Sequence, residues 1–383
     1  MSSPAIGILG AGQLGRMLAL AGYPLGLRFR FLDPAPSAST DPLAERLCDP
    51  FEDIPALAQF AKGIDVATYE FENVPVSSVR WLAERLAVHP GAPALETAQD
   101  RLLEKTFFRD RVGAPVPPFE CVESSGDLDR ATAQLGYPCV LKTRRFGYDG
   151  KGQRVLRNEA DARDAWKDLG GYPLILEGFV PFSREVSLLA VRNRQGRTAF
   201  YPLAENHHSD GILRLSLMPA PGHDSPSGQA LQAQAEDIAR EALAALDYVG
   251  VLAIEFFEQD GRLLVNEMAP RVHNSGHGTI EGTVCGQFEN HLRAVMGWPL
   301  GNTAPRQFSA MVNLIGAPAT GHIPSAQAFA PIGDAHAHHY GKSPRPGRKR
   351  GHVTLLAPTR EELAAKVKAA ETVLANLESG LAV

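Results

Sequence analysis

The spacing of apolar residues predicts an α/β organisation in the first part of the chain. Residues 5–9, 29–33 and 63–70 have the pattern of short buried strands, with an apolar helical repeat up to Leu20 and a further helix over residues 76–87. Strands that alternate with helices in this way are typical of a doubly wound, Rossmann-like domain. The N-terminal region is therefore predicted to form an open α/β sheet.

Beyond residue 95 the predicted order becomes α+β. Helices are expected over residues 97–112, 128–135 and 159–169, and a last helix over residues 360–377 follows the capping sequence Thr359-Arg360-Glu361-Glu362. Apolar runs between the helices predict strands over residues 137–142, 154–156, 174–180, 183–191, 201–208, 250–257, 263–268, 310–316 and 336–340. At roughly 100–200 residues per domain, a chain of 383 residues is expected to contain two or three domains.

Composition and charge exclude several classes of function. Hydrophobic residues make up 44% of the chain and charged residues 21%, the balance of a globular enzyme. The net charge of -5 argues against a nucleic-acid-binding surface, and no window reaches the roughly 18 apolar residues of a membrane span. The four cysteines are scattered and the N-terminus lacks a secretory pattern, so a cytoplasmic protein is expected.

Two glycine-rich turns are candidates for phosphate binding. Residues 10–15 have the Gly-x-Gly-x-x-Gly spacing of dinucleotide-binding folds, and Asp33 lies where such a fold would hold a ribose. The same glycines also suit a domain that binds another phosphate, or one that packs its first helix tightly on its first strand. Residues 142–153 contain three more glycines, and this turn is either a phosphate-covering loop or a polar surface hairpin.

Two carboxylates lie inside otherwise apolar strands. Glu255 and Glu267 would be costly to bury without a shared cation, and oxygen ligands of this kind suit Mg²⁺. A three-residue loop with Gly261 at its centre would place them opposite each other, whereas a two-residue Asp260-Gly261 turn would place them on opposite faces. The sequence leaves the choice of turn open.

Further polar side chains suit anion recognition or ordinary structural roles. Arg271 can bind a phosphate or carboxylate at two points, while Asn274 and Ser275 can also cap a following helix. Two histidines in the same segment have the spacing of a zinc pair but lack a third ligand, so zinc is not expected. Arg101 and Lys105 are expected to be a solvated pair on one helix face.

Four of these stretches together resemble the N5-carboxyaminoimidazole ribonucleotide synthetase family of the ATP-grasp superfamily. They are Gly-Ala-Gly-Gln-Leu-Gly-Arg-Met at residues 10–17, Tyr-Glu-Phe-Glu-Asn-Val-Pro at 69–75, Arg-Arg-Phe-Gly-Tyr-Asp-Gly-Lys-Gly-Gln at 144–153 and Asn-Glu-Met-Ala-Pro-Arg-Val-His-Asn-Ser-Gly-His at 266–277. The resemblance implies a Rossmann-like pre-ATP-grasp domain (residues 1–95), an ATP-grasp domain (96–298) and a small β-rich C-terminal domain (299–383), usually in a homodimer.

The resemblance also implies a reaction and its site. With Mg²⁺ present, ATP would phosphorylate bicarbonate, and the resulting carboxyphosphate or its CO₂ would carboxylate the exocyclic amine of 5-aminoimidazole ribonucleotide. By matching positions, ATP contacts fall on Arg101, Lys142, Gly147, Tyr148, Asp149, Gly150, Lys151, Gly152, Gln153, Glu177, Gly178, Phe179, Val180, Glu185, His208, Asn266 and Glu267, and metal contacts fall on Glu255 and Glu267. Substrate contacts fall on Gln13, Leu14, Glu72, Asn274, Ser275, Lys342 and Arg348, and the catalytic candidates are Tyr148, Asp149 and Arg271.

Three other interpretations of the sequence remain open. An NAD-dependent oxidoreductase built on the first domain would leave the strand carboxylates and the second glycine turn unexplained. A different ATP-grasp ligase, such as a formate-using glycinamide ribonucleotide transformylase, is the nearer alternative. A non-catalytic binding role is the least favoured, since both carboxylates and the basic C-terminal loop are intact.

Overall fold

The N-terminal region folds around a parallel sheet. The computed structural model describes residues 3–147 and 151–378. Its first sheet has the order β3-β2-β1-β4-β5, with β1 at Ala5–Leu9, β2 at Arg28–Leu32, β3 at Glu45–Leu47, β4 at Val66–Tyr69 and β5 at Ala87–Val88. Helices follow at α1 (Gln13–Gly22), α2 (Ile54–Ala61), α3 (Val76–Ala83), α4 (Ala92–Ala98) and α5 (Arg101–Thr106). The predicted Rossmann-like domain is confirmed.

A small antiparallel sheet comes next. Its order is β6-β9-β7-β8, with β6 at Phe119–Val122, β7 at Cys139–Thr143, β8 at Gln153–Leu156 and β9 at Leu174–Gly178. Helices α6 (Ser125–Leu135) and α7 (Glu159–Leu169) pack their apolar residues against it. Ser124 and Asn158 cap these helices because their side chains accept hydrogen bonds from first-turn amides.

A large sheet holds the rest of the chain together. Its order is β15-β14-β10-β12-β13-β16-β18-β17, with β11 beside β10. The strands are β10 (Arg184–Arg192), β11 (Thr198–Phe200), β12 (Ala204–Ser209), β13 (Ile212–Met218), β14 (Gly250–Gln259), β15 (Arg262–Ala269), β16 (Phe308–Ile315), β17 (Ala335–His339) and β18 (Lys349–Ala357). The helices are α8 (Pro226–Ala245), α9 (Thr279–Gly282), α10 (Gln287–Val295) and α11 (Arg360–Glu378). Among the helices described here, none has the length and apolar character that crossing a membrane requires.

The helix predicted over residues 97–112 is wrong in one respect, because it is broken. Helix α4 ends at Ala98, and Asp100 then caps α5 by accepting a 3.0 Å hydrogen bond from the Leu102 amide. A π-helical turn continues over Phe107–Val112. An Asp side chain competes for backbone amides in this way, and so it starts a new helix rather than continuing the old one.

The hairpin that carries the two strand carboxylates combines the two-residue turn of one prediction with the facing carboxylates of the other. Gln259 pairs with Arg262, so the turn has two residues, and Asp260 and Gly261 have positive φ values of 50° and 74°. A β-bulge then makes Asn266 an extra residue on β15, and the bulge restores Glu255 opposite Glu267. The expectation that a two-residue turn separates the carboxylates is therefore wrong.

A buried histidine connects the first sheet to the large one. Val251 on β14 donates its backbone N–H to His291 Nδ1 at 3.1 Å, and His291 Nε2 lies 2.9 Å from Thr68 Oγ1 on β4. Because a backbone amide can only donate, Nδ1 is the acceptor and Nε2 carries the ring proton. His291 thus fixes the positions of the two sheets relative to each other.

Candidate active site

The two strand carboxylates lie side by side. Glu255 and Glu267 are register partners, and Glu267 Oε2 accepts a 2.8 Å hydrogen bond from Arg101 Nη1. Burial would raise the pKa of Glu267, but Arg101 lowers it, whereas burial and the charge of Glu267 raise the pKa of Glu255 to about 7. Within residues 3–147 and 151–378 no group of three metal-binding side chains occurs. Because Arg101 pairs with only one of the two carboxylates, the pair favours a cation that takes its other ligands from a substrate.

Two buried lysines converge on one carboxylate beside this pair. Glu177 Oε2 on β9 lies 2.9 Å from Lys142 Nζ and 3.4 Å from Lys105 Nζ. Burial alone would raise the pKa of Glu177, but the two ammonium groups lower it to about 2. Two cations on one carboxylate leave a local excess of positive charge, which suits a phosphate group.

The predicted solvated pair of Arg101 and Lys105 is wrong. Lys105 is 1% exposed, and its Nζ donates to the backbone carbonyl of Asn266 at 2.6 Å. Both cations turn inward because the buried carboxylate of Glu177 and the partly exposed carboxylate of Glu267 attract them. The Asn266 Oδ1 atom is buried without a hydrogen-bond partner among the described residues, so an acceptor is available for a ligand.

The glycine-rich turn after β7 is anchored by its own arginines. Arg144 donates to Asp100 Oδ2 and Arg145 donates to Gln99 Oε1, both at 2.7 Å. These two cations therefore hold the turn on the rest of the protein rather than facing a phosphate. The turn reaches the carboxylate pair through Arg101.

Gly152 allows the turn to close. Its φ is 71°, and a Cβ there would lie 2.6 Å from Thr143 Oγ1. Gly147 accepts a 3.3 Å hydrogen bond from Arg101 Nη2, and Lys151 and Gln153 lie on the returning side. The predicted contacts Tyr148, Asp149 and Gly150 lie outside the described residues.

The remaining predicted ATP contacts lie on two neighbouring elements. Gly178 ends β9, Phe179 is 46% exposed and Val180 is buried. On the large sheet, the Glu185 carboxylate contacts His208 Nδ1. Burial would lower the pKa of His208, but Glu185 raises it above its ordinary value.

A second ion pair lies where β4 meets the segment after β15. Arg271 Nε donates to Glu72 Oε2 at 2.5 Å. Burial would raise the pKa of Glu72, but Arg271 lowers it to about 2. Asn274 Nδ2 is buried without a partner among the described residues, and an unpaired donor of this kind is costly unless a ligand accepts from it.

His273 is a site residue that the sequence analysis did not select. Its Nε2 lies 3.5 Å from Glu255 Oε1 and its Nδ1 lies 2.9 Å from Ser275 Oγ. It also caps the short 3-10 turn Asn274–Gly276, so the expected capping of a helix by Asn274 and Ser275 is wrong. Its position between the possible ligands Arg271 and Asn274 was the available signal.

The basic loop between β17 and β18 meets the N-terminal domain. Lys342 Nζ contacts Gln13 Oε1 at the start of α1, with Leu14 buried behind it. Burial, and then the charge of Arg348, lower the pKa of Lys342 to about 8. Arg348 Nη1 itself donates to Ser343 Oγ at 2.9 Å. The predicted substrate contacts from the two ends of the chain thus come together.

Two more cations lie at the start of β18 and were not selected from the sequence. Arg350 donates to the Lys342 carbonyl from Nε and Nη2, at 3.0 and 2.9 Å, and so holds the loop in place. Lys349 acts electrostatically on the pKa of both Glu255 and His273. Lys349 therefore lies close enough to the carboxylate pair to influence its charge.

The N-terminal glycine turn is filled by a side chain. The Glu70 carboxylate accepts hydrogen bonds from the backbone amides of Gly12 and Gly15, the latter at 2.7 Å. A Cβ on Gly12 would lie 2.6 Å from Glu70 Oε1. Because the acid occupies the position of a pyrophosphate, a dinucleotide cannot bind there in the usual way. Asp33 caps the same turn by accepting from the Ala11 amide.

Comparison with known families agrees with this architecture. A family model described as ATP-grasp domain matches residues 107–288, a ribonucleotide synthetase preATP-grasp domain matches residues 3–99, and a phosphoribosylaminoimidazole carboxylase C-terminal domain matches residues 309–366. The protein is therefore an ATP-dependent ligase of the ATP-grasp class, as the fold and the site indicated.

Individual relatives identify the family within that class. The chain is 53% identical over 369 residues to N5-carboxyaminoimidazole ribonucleotide synthase of Pseudomonas aeruginosa, covering 96% of this chain and 99% of the relative. The crystal structure of N5-carboxyaminoimidazole ribonucleotide synthetase from Thermus thermophilus has a TM-score of 0.90 and 56% identity, over 96% of this chain and 98% of that one. The chain belongs to the N5-carboxyaminoimidazole ribonucleotide synthase family.

A ligand-bound relative has the same fold. The Aspergillus clavatus enzyme in complex with ADP and 5-aminoimidazole ribonucleotide has a TM-score of 0.88 and 31% identity, over 98% of this chain and 99% of that one. The resemblance stated from the sequence and the predicted use of ATP are thus confirmed. The oxidoreductase interpretation is wrong, since Glu70 fills the turn that it required.

Proposed function

We propose that this chain carboxylates the exocyclic amine of 5-aminoimidazole ribonucleotide in an ATP- and bicarbonate-dependent reaction of purine biosynthesis. The observation that carries the proposal is the Glu255–Glu267 pair, which faces the cationic group of Arg101, Lys105 and Lys142. A bicarbonate oxygen attacks the γ-phosphorus of ATP, and ADP leaves. The amine then forms a C–N bond to the carboxyl carbon, the C–O bond to phosphate breaks, and the nitrogen releases one proton.

The cationic side of the site is proposed to hold ATP. Lys142 and Arg101 approach the phosphates, and Gly147 and Gly152 let the turn cover them. Gly178 to Val180, Glu185 and His208 take the nucleoside end, with Asn266 Oδ1 as a free acceptor. Phosphoryl transfer depends mainly on such positioning of negative charge.

The carboxylate pair is proposed to bind Mg²⁺. Its residues fit the ion because Glu255 has a raised pKa next to a second carboxylate, and both are oxygen donors. When bound, Mg²⁺ would neutralise the charge that develops on the transferred phosphoryl group. Glu267 would then contact both Arg101 and the metal, and Arg101 would contact both Glu267 and the nucleotide.

The opposite side is proposed to hold the ribonucleotide and bicarbonate. Lys342 and Arg348 bind the 5′-phosphate, next to Gln13 and Leu14. Glu72 binds the sugar or the amine. Arg271, Asn274 and Ser275 orient bicarbonate. Tyr148 and Asp149 lie outside the described residues, and the family resemblance alone supports the proposal that they contact the substrates and exclude water from the activated carboxyl group.

Assembly and location are proposed on the same basis. We infer domains at residues 1–95, 96–298 and 299–383, a homodimer, and a cytoplasmic enzyme without nucleic-acid or membrane partners. The family models match residues 3–99, 107–288 and 309–366, which begin and end near these divisions.

Phosphate release from ATP is the experiment that tests the proposal. With purified protein, Mg²⁺, bicarbonate and 5-aminoimidazole ribonucleotide, release should require all components, and the carboxylated product should appear in equal amount. Omission of the ribonucleotide should leave only slow background hydrolysis. If the rate of ADP formation were the same with and without the ribonucleotide and bicarbonate, the assigned substrates would be wrong.

A further inference from the structure

A series of buried side-chain hydrogen bonds runs across the large sheet to His273. Ser216 Oγ donates to Asn206 Oδ1 at 2.7 Å, and Asn206 Nδ2 donates to Ser187 Oγ at 2.9 Å. Ser187 Oγ donates to Ser275 Oγ at 2.8 Å, and Ser275 Oγ lies 2.9 Å from His273 Nδ1. The serines and the asparagine are all buried, so bulk water does not compete for these bonds.

The histidine end fixes the direction of this series. The Ser275 backbone N–H lies 3.4 Å from His273 Nδ1, and because an amide can only donate, Nδ1 must accept. The Ser275 hydroxyl already accepts from Ser187, so its own proton is available for Nδ1. A neutral imidazole that accepts at Nδ1 carries its proton on Nε2.

We propose that Ser216, Asn206, Ser187 and Ser275 hold His273 in the Nε2–H tautomer, so that His273 presents a hydrogen-bond donor to an anionic substrate oxygen. Nε2 lies 3.5 Å from Glu255 Oε1, which is longer than a normal N–H···O hydrogen bond. The donor is therefore available to a ligand that binds beside the carboxylate pair. The identity of that ligand as bicarbonate or phosphate rests on the proposed function, whereas the tautomer does not.

The network is better explained by orientation than by stability. A buried hydroxyl that exchanges water for protein partners gains little net free energy, so apolar residues would stabilise these sheet positions about as well. What apolar residues cannot do is choose between the two tautomers of a neighbouring imidazole. Ser216, Asn206 and Ser187 are thus positioning residues. Ser275 adds this role to its proposed contact with bicarbonate, and His273 is a further group that touches substrate.

The tautomer can be measured directly without substrate. The full chain is labelled with ¹⁵N-histidine, and a long-range ¹H–¹⁵N correlation spectrum identifies the protonated nitrogen of each ring. The His273 signals are assigned by their loss in His273→Gln. We expect the wild-type protein to have the proton on Nε2, and Ser275→Thr to retain it. In Ser275→Ala the Nδ1–H form should become populated.

A remote variant and a matched control test the series itself. Ser216→Ala removes the first donor, and the Nδ1–H form of His273 should again be populated. Ser309→Ala deletes another buried serine, whose hydroxyl donates to the Met218 carbonyl at 3.2 Å outside the series, and should leave the spectrum unchanged. A wild-type proton on Nδ1, or a Ser216→Ala spectrum identical to wild type, would overturn the proposal.

Kinetics connect the tautomer to the reaction. Ser275→Ala should lower kcat about tenfold or more, as loss of groups that orient a functional histidine typically does, and Ser275→Thr should recover most of it. Ser216→Ala should lower kcat by a smaller factor, with the KM for ATP unchanged. If the wild-type protein had no ribonucleotide-dependent activity, this result would contradict the proposed function but not the tautomer, because the tautomer is measured without substrate.

Discussion

Buried charges with unequal partners are the main feature of the site at the scale of single residues. Glu177 lies near two ammonium groups, whereas Glu255 faces Glu267 and an imidazole whose pKa burial lowers to about 3. The Met268 amide donates to Glu104 Oε1 at 2.5 Å, and burial and Glu267 raise the pKa of Glu104 to about 8. Two ammonium groups therefore lie at Glu177, and a carboxylate pair with fewer cationic partners lies beside them, an arrangement that suits a metal-bound phosphate.

Glu267→Gln tests the carboxylate pair. The amide keeps the shape of the side chain but removes the charge shared by Arg101 and the proposed Mg²⁺. We expect kcat to fall at least about 100-fold, since charge stabilisation by a bound metal contributes several kcal/mol to the transition state. Phosphate release is the assay, and circular dichroism checks that the fold is unchanged.

The matched control for this variant is Glu241→Gln on α8, an exposed position far from the site. Its activity should equal that of the wild type. If Glu267→Gln also turned over at the wild-type rate, the assignment of Glu267 as a metal ligand would be wrong.

Backbone irregularities place the functional side chains at the scale of elements. The bulge at Asn266 sets the side of β15 on which Glu267 lies, and it presents the Asn266 carbonyl to Lys105. The turn after β7 depends in the same way on a left-handed residue, Gly152. These two deviations from regular strand geometry meet at Arg101, which contacts both Glu267 and Gly147.

Gly152→Ala tests the turn. A methyl group would lie 2.6 Å from Thr143 Oγ1 at a φ of 71°, so the turn must change its conformation. We expect kcat/KM for ATP to fall about tenfold, which corresponds to roughly 1.4 kcal/mol of lost transition-state stabilisation. Steady-state kinetics with varied ATP provide the measurement.

Gly126→Ala is the control for a change from glycine to alanine. The new Cβ in α6 would have no neighbour closer than 3.8 Å. This variant should keep the wild-type kcat/KM. Equal kinetics for Gly152→Ala and Gly126→Ala would show that closure of the turn does not limit the reaction.

At the scale of the whole molecule, neutral buried histidines make stability depend on pH. Burial lowers the pKa of His291 from 6.5 to about 3, and burial followed by the charge of Arg194 lowers that of His89 to about 4. Between pH 6.5 and these values, the unfolded chain binds protons that the folded chain does not. Stability is therefore present above pH 6.5 and is lost as the pH falls through this window.

We expect the urea midpoint of unfolding to be lower at pH 5 than at pH 7.5, with a free-energy change of up to about 1.4 kcal/mol per pH unit for each histidine. His291→Gln should weaken this pH dependence, because glutamine does not titrate. Thr68→Val removes the hydrogen-bond partner of His291 without removing a titrating group, and should cost about 1 kcal/mol at pH 7.5. Identical pH profiles for wild type and His291→Gln would contradict this account.

The local signals in the sequence were sufficient for many of the elements and for a set of candidate site residues. Periodicity predicted β1, β2 and β4 of the first sheet as well as β14 and β15, but not β3 or β5. The cap at Thr359 predicted α11, since such a feature depends on neighbouring residues. The role of Glu70 could not be predicted from the residues next to it in the sequence. Its partners Gly12 and Gly15 are more than fifty residues away, and only the folded sheet brings them together.

Burial of charge was the other limit of sequence reasoning. Arg101 and Lys105 have the spacing of an exposed helical pair, and their inward orientation depends on carboxylates from β9 and β15. The bulge at Asn266 likewise follows from no turn rule, because it compensates the two-residue turn several positions away. His273 was undervalued for the same reason, since Glu255 lies on a distant strand and Ser187, which reaches His273 through Ser275, lies on another.

The large sheet also limits how this protein can be rearranged by recombination. The family match for the C-terminal segment begins within β16, and β16 is hydrogen-bonded to β13 of the ATP-grasp region. A chain cut at residue 298 would leave the β13 edge open to pairing with other chains. The C-terminal segment is therefore a poor candidate for transfer to another protein. An exchange between relatives would succeed only if β13 and β16, which pair with each other, were exchanged together.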